Sequence, residues 1–317
     1  MARFVLSRAL KAVLTVWIAI TSTFFLLRLL PGDPTTLMVE GDMTPEMQAA
    51  LLKTYGLDRP LWEQYVSYLR ELVQGNLGIS FRQIQPVTDI ILDRLPWTLL
   101  LAGSAFVLTV AVGIPIGVAA AVNRGKWLDR ALQGFGISAN ALFVPSVAIL
   151  LLVFFGAQLG WFPIGGAIDP DTRGAAAYLS LAHHLVLPVL SLVLVQLGPY
   201  ALTLRTNMIE VLGEDYIRAA QARGLSARRR VWKHGLRNAI LPALTLMGLQ
   251  LGTLVGGAVL TETVFAYPGV GRLIYEAVGQ QDYPVIQGAF IMLAVTVVIA
   301  NALTDMLYAV LNPRIRL

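Results

Sequence analysis

Residues 96–122 read PWTLLLAGSAFVLTVAVGIPIGVAAAV, a run without a single charged side chain. A helix needs about 20 apolar residues to cross the hydrocarbon layer, which has no partner for a free backbone N–H group. This run therefore predicts a transmembrane helix. The composition of the whole chain is also typical of a membrane protein, because its 317 residues are 56% hydrophobic and only 14% charged, with a mean hydropathy of +0.67. Such a composition excludes disorder and an ordinary water-soluble enzyme.

Five further stretches have the same apolar character, at residues 9–30, 135–159, 181–204, 239–261 and 284–311. The first follows Arg3 and Arg8 as a signal peptide would, but it ends in LPGDP at residues 30–34 without a small-residue cleavage pattern. We therefore expect it to be retained. The sequence predicts an all-α polytopic membrane protein with six transmembrane helices, kinked at Pro115, Pro145, Pro188 and Pro199.

The orientation follows from the distribution of Lys and Arg, which are in excess in cytoplasmic segments. If the N-terminus is inside, the inside segments contain 16 of these residues and the outside segments seven. We expect both termini to be cytoplasmic. The net charge of +5 and the pI near 9.6 then reflect topology, and we expect no nucleic-acid partner.

These assignments divide the chain into three parts. Residues 1–30 form a cytoplasmic tail and the first transmembrane helix, residues 31–95 an extracytoplasmic helical segment, and residues 96–317 a core with five transmembrane helices and an inside loop at 205–238. Within the outer segment, Thr44 and Gly56 predict the start and stop of one short helix.

A second outer helix is predicted between Pro60 and Gly75. Its apolar residues recur at helical spacing, and they are Leu61, Trp62, Tyr65, Val66, Leu69, Leu72 and Val73. We interpret its aromatic residues as packing groups or interfacial anchors rather than a binding site.

The inside loop contains the most informative pattern. Acidic residues open a predicted helix of about ten residues, and Gly224 can adopt the left-handed conformation that ends it. Tyr216, Ala219 and Ala220 share one face, which is small enough for close docking. Ser226 can cap a second, strongly basic helix. For this helix, contact with the headgroups of anionic lipids is an alternative role.

Residues 214–225, EDYIRAAQARGL, followed by Ile240-Leu241-Pro242, resemble the cytoplasmic EAA loop of ABC-importer permeases. This variant of the loop sequence is similar to that of the first (B-type) permease subunit of dipeptide and oligopeptide importers. Further segments agree, namely LPGDP at 30–34, YGLDRPL at 55–61, GNLG at 75–78 and ETVFAYPGVGRL at 262–273. Arg218 stands where the motif name places glutamate, so the glutamate-based contact of other branches is not transferred to it.

The resemblance implies the type I importer permease fold and a coupling helix that fits a cleft on a cytoplasmic ATPase. By position, the coupling residues are Glu214, Asp215, Tyr216, Ala219, Ala220, Gly224 and Leu225. It also implies a location in a prokaryotic inner membrane. The partners that it implies are a second, homologous permease subunit, two ABC ATPase subunits and an extracytoplasmic solute-binding protein.

The chain has no energy source of its own that we can recognise. The pair Gly125-Lys126 is followed by Trp127 and lacks the upstream glycine of a phosphate-binding loop. There are no cysteines and only three histidines, which leaves little for a metal centre. We expect no cofactor, no metal and no catalysis in this chain, with ATP and magnesium in the partner ATPase subunits.

Polar residues within the predicted spans are expected to face protein or water. The candidates for the translocation path are Gln250, the flanking Gly248 and Gly252, Asn301 and Asp305. Asp305 either binds a peptide amine or forms a structural pair with an arginine on the cytoplasmic side. Gln196 and Asn207 complete the set.

An intramembrane hydrolase and a channel are the alternatives to an ATP-driven transporter. An intramembrane hydrolase would need a nucleophile and a base in contact, but Ser191 lies about 10 Å along the helix from His184. A channel would work without ATPases. Within the transporter class, nickel chelates, glutathione and some sugars remain alternatives to peptides as cargo.

Overall fold

The computed structural model describes residues 2–29 and 58–311, and at 2–7, 9, 244–255 and 305–311 it describes the backbone alone. The described part is mostly helical and has no β-strand; its one β-bridge joins Ile79 and Pro86. In chain order, the helices are α1 (Ala2–Leu29), α2 (Leu61–Val73), α3 (Val87–Val122), α4 (Trp127–Ala141), α5 (Val144–Leu151), α6 (Ala175–Gly213), α7 (Asp215–Ala222), α8 (Ala227–Arg229), α9 (Leu236–Val264), α10 (Val270–Gln280) and α11 (Tyr283–Leu311).

Two π-helical segments complete the order. Leu152–Gln158 extends α5, and Arg230–Gly235 joins α8 to α9. The chain forms two compact units, Met1–Trp97 with Pro268–Val298, and Thr98–Tyr267 with Ile299–Leu317.

Long apolar helices account for most of the predicted spans. Among the described residues, four helices are long and apolar enough to cross a membrane, within α1, α3, α6 and α11, and a bent pair makes a fifth if it is one span. The fifth predicted span, at 239–261, lies within the continuous helix α9, but most of its side chains are outside the described residues. The count of six and the orientation of the termini stay predictions.

The third apolar stretch, 135–159, is divided into two helices. Helix α4 ends at Ala141, Leu142 has extended backbone, and α5 begins at Val144, with a bend of 104° between the two halves. In a continuous helix, the ring of Pro145 would clash with the carbonyl of Ala141, and it has no N–H to donate. The kink predicted at Pro145 is therefore a full break, whereas α6 continues through both of its prolines, Pro188 and Pro199.

In the second unit, glycines allow α6 to pack against two neighbours at close range. A Cβ atom on Gly198 of α6 would lie 2.7 Å from the Cα of Gly136 on α4. One on Gly117 of α3 would lie 2.8 Å from the carbonyl oxygen of Ala201. Both are distances that side chains cannot occupy, so these helices touch backbone to backbone. The face of α3 that contains Gly117 is therefore a packing surface.

In the first unit, the predicted outer helix is present as α2, within one residue of its expected ends. The other outer helix, predicted between Thr44 and Gly56, lies outside the described residues. Near α11, the buried carboxylate of Asp282 accepts a hydrogen bond from the Ser80 hydroxyl and one from the Phe81 N–H at 3.2 Å. This polar contact joins the loop after α2 to the start of α11.

Replacing Gly198 with alanine should destabilise the protein. The added methyl group would meet the backbone of α4, and overpacking of this kind costs about 1–3 kcal/mol, more than the roughly 1 kcal/mol that alanine gains in helix propensity. The matched control is Gly134→Ala, because Gly134 is an exposed helical residue with no described atom within 4 Å of its Cβ position. In detergent, the thermal midpoint should fall for Gly198→Ala and stay level or rise for Gly134→Ala; equal midpoints would contradict the packing described.

Candidate functional site: the 214–238 segment

The short helix α7 begins and ends as the sequence predicts. Glu214 is its N-cap residue with extended backbone (φ −70°, ψ 149°), and Asp215 lies in the first turn, where the helix dipole favours an acid. Gly224 adopts φ +77°, the left-handed conformation that stops the helix. The helix has eight residues rather than about ten. It is a compact element held between α6 and α8.

The two sides of α7 differ in exposure. Ile217 is buried, at 5% exposure, so the inner side of the helix packs against the rest of the chain. On the outer side, Tyr216 is 41% exposed, Ala219 is exposed and Ala220 is half-buried. The face predicted to be small is therefore directed outward, with the tyrosine as its only bulky group.

Two side-chain hydrogen bonds tie α7 to the chain that follows it. The Asn238 Nδ2 group donates to Tyr216 Oη at 2.7 Å, and Arg230 Nη1 donates to Gln221 Oε1. One bond lies at the beginning of α7 and the other near its end. A displacement of α7 would therefore be passed directly to the start of α9.

The same segment packs against the end of α6. Met208 and Ala239 are fully buried in one apolar cluster, and a Cβ on Gly235 would lie 3.3 Å from Leu212 Cδ2. Asn207 faces protein as predicted, donating from Nδ2 to the Ala239 carbonyl at 3.3 Å. Helices α6, α7 and α9 thus meet in one packed junction.

The predicted basic helix is divided between α8, the π-helical segment and the start of α9. Ser226 stands at its N-cap position, but its side chain makes no capping hydrogen bond. The exposed residues of this stretch include Arg228, Arg229, Trp232, Lys233 and Arg237. They form a positively charged outer surface next to the small face of α7.

A buried ion pair anchors α6 just before this junction. Arg205 donates through Nε to Asp129 Oδ1 and through Nη2 to Oδ2, the latter at 2.8 Å. Gly125 N–H donates to the same carboxylate at 2.8 Å, and only 2% of the Asp129 side chain is exposed. The pair joins α6 to the start of α4. Its two members are 76 residues apart, so no local pattern in the sequence could have indicated it.

The residues predicted for the translocation path are only partly described. Gly248, Gln250 and Gly252 lie on the helical backbone of α9, and Asp305 on that of α11, but their side chains are outside the described residues. Asn301 is half-buried, and its Oδ1 atom has no hydrogen-bond partner in the described part of the chain. Whether these residues line a path stays a prediction.

The polar residues of α6 do not form a hydrolase site. Ser191 donates to the carbonyl of Pro188 at 2.7 Å, and His184 Nδ1 lies 2.8 Å from the carbonyl oxygen of Ser180. The hydroxyl of Ser180 donates to Asp169 Oδ2 at 2.7 Å, so its proton is not directed at an imidazole. Activation of a serine needs a base that accepts the hydroxyl proton. In the described residues, there is also no group of three or more His, Cys, Asp or Glu side chains that could hold a metal ion.

Two consecutive parts of the chain match known protein families. Residues 113–317 match the binding-protein-dependent transport system inner membrane component, and residues 1–102 match the N-terminal part of membrane components of such systems. The chain belongs to this family. It is therefore an integral membrane component of a binding-protein-dependent transport system, in agreement with its long apolar helices.

Curated members of the family are similar over nearly their whole length. The di/tripeptide transport system permease protein of Pseudomonas aeruginosa is 39% identical, over 93% of each chain. The dipeptide transport system permease protein of Escherichia coli is 37% identical, over 100% of this chain and 99% of its own. The glutathione transport system permease protein of Escherichia coli is 36% identical, over 100% and 99%.

Solved structures of the same fold are more distant in sequence. The MetNI methionine ABC transporter in inward-facing conformations gives a TM-score of 0.57 at 18% identity, over 71% of this chain and 97% of the matched chain. An amino acid ABC transporter gives 0.51 at 14% identity, over 72% and 95%. At these identities, the likeness shows the fold alone. The expected type of fold is therefore confirmed.

Replacing Asp129 with alanine should destabilise this family member strongly. The change leaves the Arg205 guanidinium, of whose side chain only 15% is exposed, without its counter-ion. Breaking a buried pair by removing one partner costs about 3–5 kcal/mol, and the partial exposure of Arg205 favours the lower end. Glu276→Ala is the control, because it breaks an ion pair with Arg272 in which both side chains are about one-third exposed. Thermal unfolding in detergent should show a large loss for Asp129→Ala and a small one for Glu276→Ala, and similar losses would contradict the importance assigned to the buried pair.

Proposed function

We propose that the chain is the membrane-spanning permease subunit of an ATP-driven importer of di- and oligopeptides. The observation that carries the proposal is the full-length identity of 37–39% with two permease proteins of di- and tripeptide transport systems. Similarity that extends over both the N-terminal segment and the core supports the same role for the whole chain. In this role the chain forms half of the translocation pathway and catalyses no reaction itself.

The proposed assembly contains a second, homologous permease subunit, two ABC ATPase subunits and an extracytoplasmic solute-binding protein. ATP and magnesium bind to the ATPase subunits. Both termini of the chain are cytoplasmic, as the excess of Lys and Arg on one side favours. The 214–238 segment then lies on the cytoplasmic side, where an ATPase can reach α7.

In the proposed mechanism, α7 is the element that the ATPase moves. Its outer face is small at Ala219 and Ala220, which permits close docking, and its acidic N-terminus can meet a positively charged cleft. Closure of the ATPase dimer displaces α7 as a rigid body. The Tyr216–Asn238 and Gln221–Arg230 hydrogen bonds pass the displacement to α9, while the Asp129–Arg205 pair keeps the end of α6 fixed to α4. The bundle thereby changes between inward-open and outward-open states.

Glutathione is the second candidate cargo, because a glutathione permease is 36% identical over the full length. Glutathione is itself a tripeptide with one unusual linkage, so related sites could accept both. Nickel chelates and sugars have less support among the relatives described above. A channel that works without ATP is the remaining alternative.

Replacing Ala219 with tryptophan should block ATPase docking without unfolding the chain, because Ala219 is exposed. ATP-dependent uptake should fall about tenfold or more, since a docking loss of only 1.4 kcal/mol already gives that factor. Ala176→Trp is the control, at an exposed alanine in the first turn of α6, on the side predicted to be extracytoplasmic. Co-purification of the ATPase and peptide uptake should both fail only for Ala219→Trp; normal uptake by that variant would refute the assignment of α7.

The cargo can be identified by uptake into proteoliposomes that contain the chain with its cognate permease, ATPases and binding protein. We expect ATP-dependent uptake of labelled di- and tripeptides, and little competition from glutathione or a nickel chelate. Preferred uptake of glutathione or the chelate would contradict the proposed cargo. Uptake that persists without ATP would contradict the importer and favour a channel.

A further inference from the structure

Helix α2 is fixed by one side to the C-terminal part of α1. Tyr65 is buried and its hydroxyl lies 2.8 Å from the Thr21 hydroxyl, and its ring packs on Phe24 with 5.2 Å between ring centroids. Tyr68 stacks on the same Phe24 ring at 5.5 Å. These contacts place α2 beside residues 21–28 of α1, at the end of the apolar stretch Leu10–Leu29.

A second side of α2 is apolar and exposed. Trp62 is 71% exposed, Val66 45% and Val73 88%, with Leu69 half-buried between them. Their spacing of four, three and four residues places them in one stripe, next to the side that contacts α1. We call these four residues the α2 stripe.

The remaining side of α2 is polar. Glu63, Ser67, Arg70 and Glu71 are all exposed. At the helical spacing, Glu63 and Arg70 border the α2 stripe, whereas Ser67 and Glu71 lie farther round the helix. The helix therefore has one side against a transmembrane helix, one apolar side that is exposed, and one charged side. A helix with this division of apolar and charged residues is typical of a membrane interface, where one side meets acyl chains and the other water.

The adjoining surface of α1 indicates what covers the α2 stripe. Phe25, Leu26 and Leu29 are 40%, 65% and 75% exposed, at the same end of α1 that α2 contacts. These residues belong to a helix that is long and apolar enough to span the membrane, so lipid is the medium they face. The exposed apolar surface of α1 and the α2 stripe thus belong to the same end of this helix pair.

One cation marks the polar boundary of this surface. The Arg28 guanidinium lies 3.7 Å from the centroid of the Phe24 ring, and its Nε atom donates to Gln64 Oε1 at 2.8 Å. An arginine at the end of a span extends toward the headgroup level. Trp62 is also a residue type that favours this level, because its ring is apolar and its N–H group is polar.

We propose that α2 is an interfacial helix whose α2 stripe inserts among the phospholipid acyl chains, just below the headgroups, in the leaflet at the C-terminal end of α1. The occupant of this apolar surface is lipid rather than a protein partner. The function of this contact is to fix the α1–α2 pair at a set depth in the membrane. The inference is independent of the cargo and of the ATPase contact proposed above.

The absence of cysteine from the chain allows a direct test by single-site spin labelling in lipid nanodiscs. Val66→Cys places a nitroxide on the α2 stripe, and the neighbouring Ser67→Cys places one on the polar side as a matched control. Oxygen concentrates among acyl chains, whereas a neutral nickel chelate stays in water. The ratio of oxygen to nickel collision rates at position 66 should exceed that at position 67 by about tenfold, because only position 66 faces lipid.

Three results would overturn the proposal. Equal ratios at positions 66 and 67 would place the α2 stripe in water. A label at position 66 that collides with neither reagent would show that protein covers it. Val73→Cys gives a second position on the stripe should Val66→Cys fold poorly, and a ratio there no higher than at position 67 would also contradict lipid contact. Thermal midpoints equal to that of the unlabelled protein show that each labelled variant is folded.

Discussion

Lipid cannot hydrogen-bond to a peptide group, and this constraint determines the structure of the chain. Every backbone N–H and C=O group at membrane depth must be satisfied within the protein, so the apolar stretches form helices. Where the constraint conflicts with the sequence, as at Pro145, the helix ends and a new one begins at a bend of 104°. Because lipid gives no hydrophobic driving force between helices, close contact at Gly136, Gly198 and Gly117 holds α3, α4 and α6 together.

The 214–238 segment is joined by direct contacts to the long helices α6 and α9. Helix α6 runs for 39 residues, about 58 Å, without interruption, and only Glu214 separates it from α7. The buried Asp129–Arg205 pair fixes its last turns to α4, and two hydrogen bonds join α7 to the start of α9. A force on the exposed face of α7 therefore reaches two long helices through rigid contacts. This arrangement suits a subunit that is moved by a partner.

Hydrophobic periodicity and helix-stop signals predicted the local structure well. The long apolar helices, the bounds of α2, the helix at Asp215–Ala222 and the left-handed Gly224 all depend on residues close together in the chain. The contacts at the site could not be predicted in the same way. Asp129 and Arg205 are 76 residues apart, and the π-helical segment before Asn238 shifts the register that a regular helix would give. For the translocation path, a helical pattern shows which residues share a face of α9 but not which neighbour covers that face.

In the proposed assembly, α7 is the surface through which a cytoplasmic ATPase drives this chain. The most direct measurement attaches a photoreactive benzophenone to a single Ala219→Cys residue in the assembled, membrane-embedded complex and identifies the cross-linked subunit by mass spectrometry. We expect position 219 to cross-link to the ATPase subunit, with a yield that changes when ATP is added. Cross-linking to the extracytoplasmic binding protein, or to lipid alone, would contradict it.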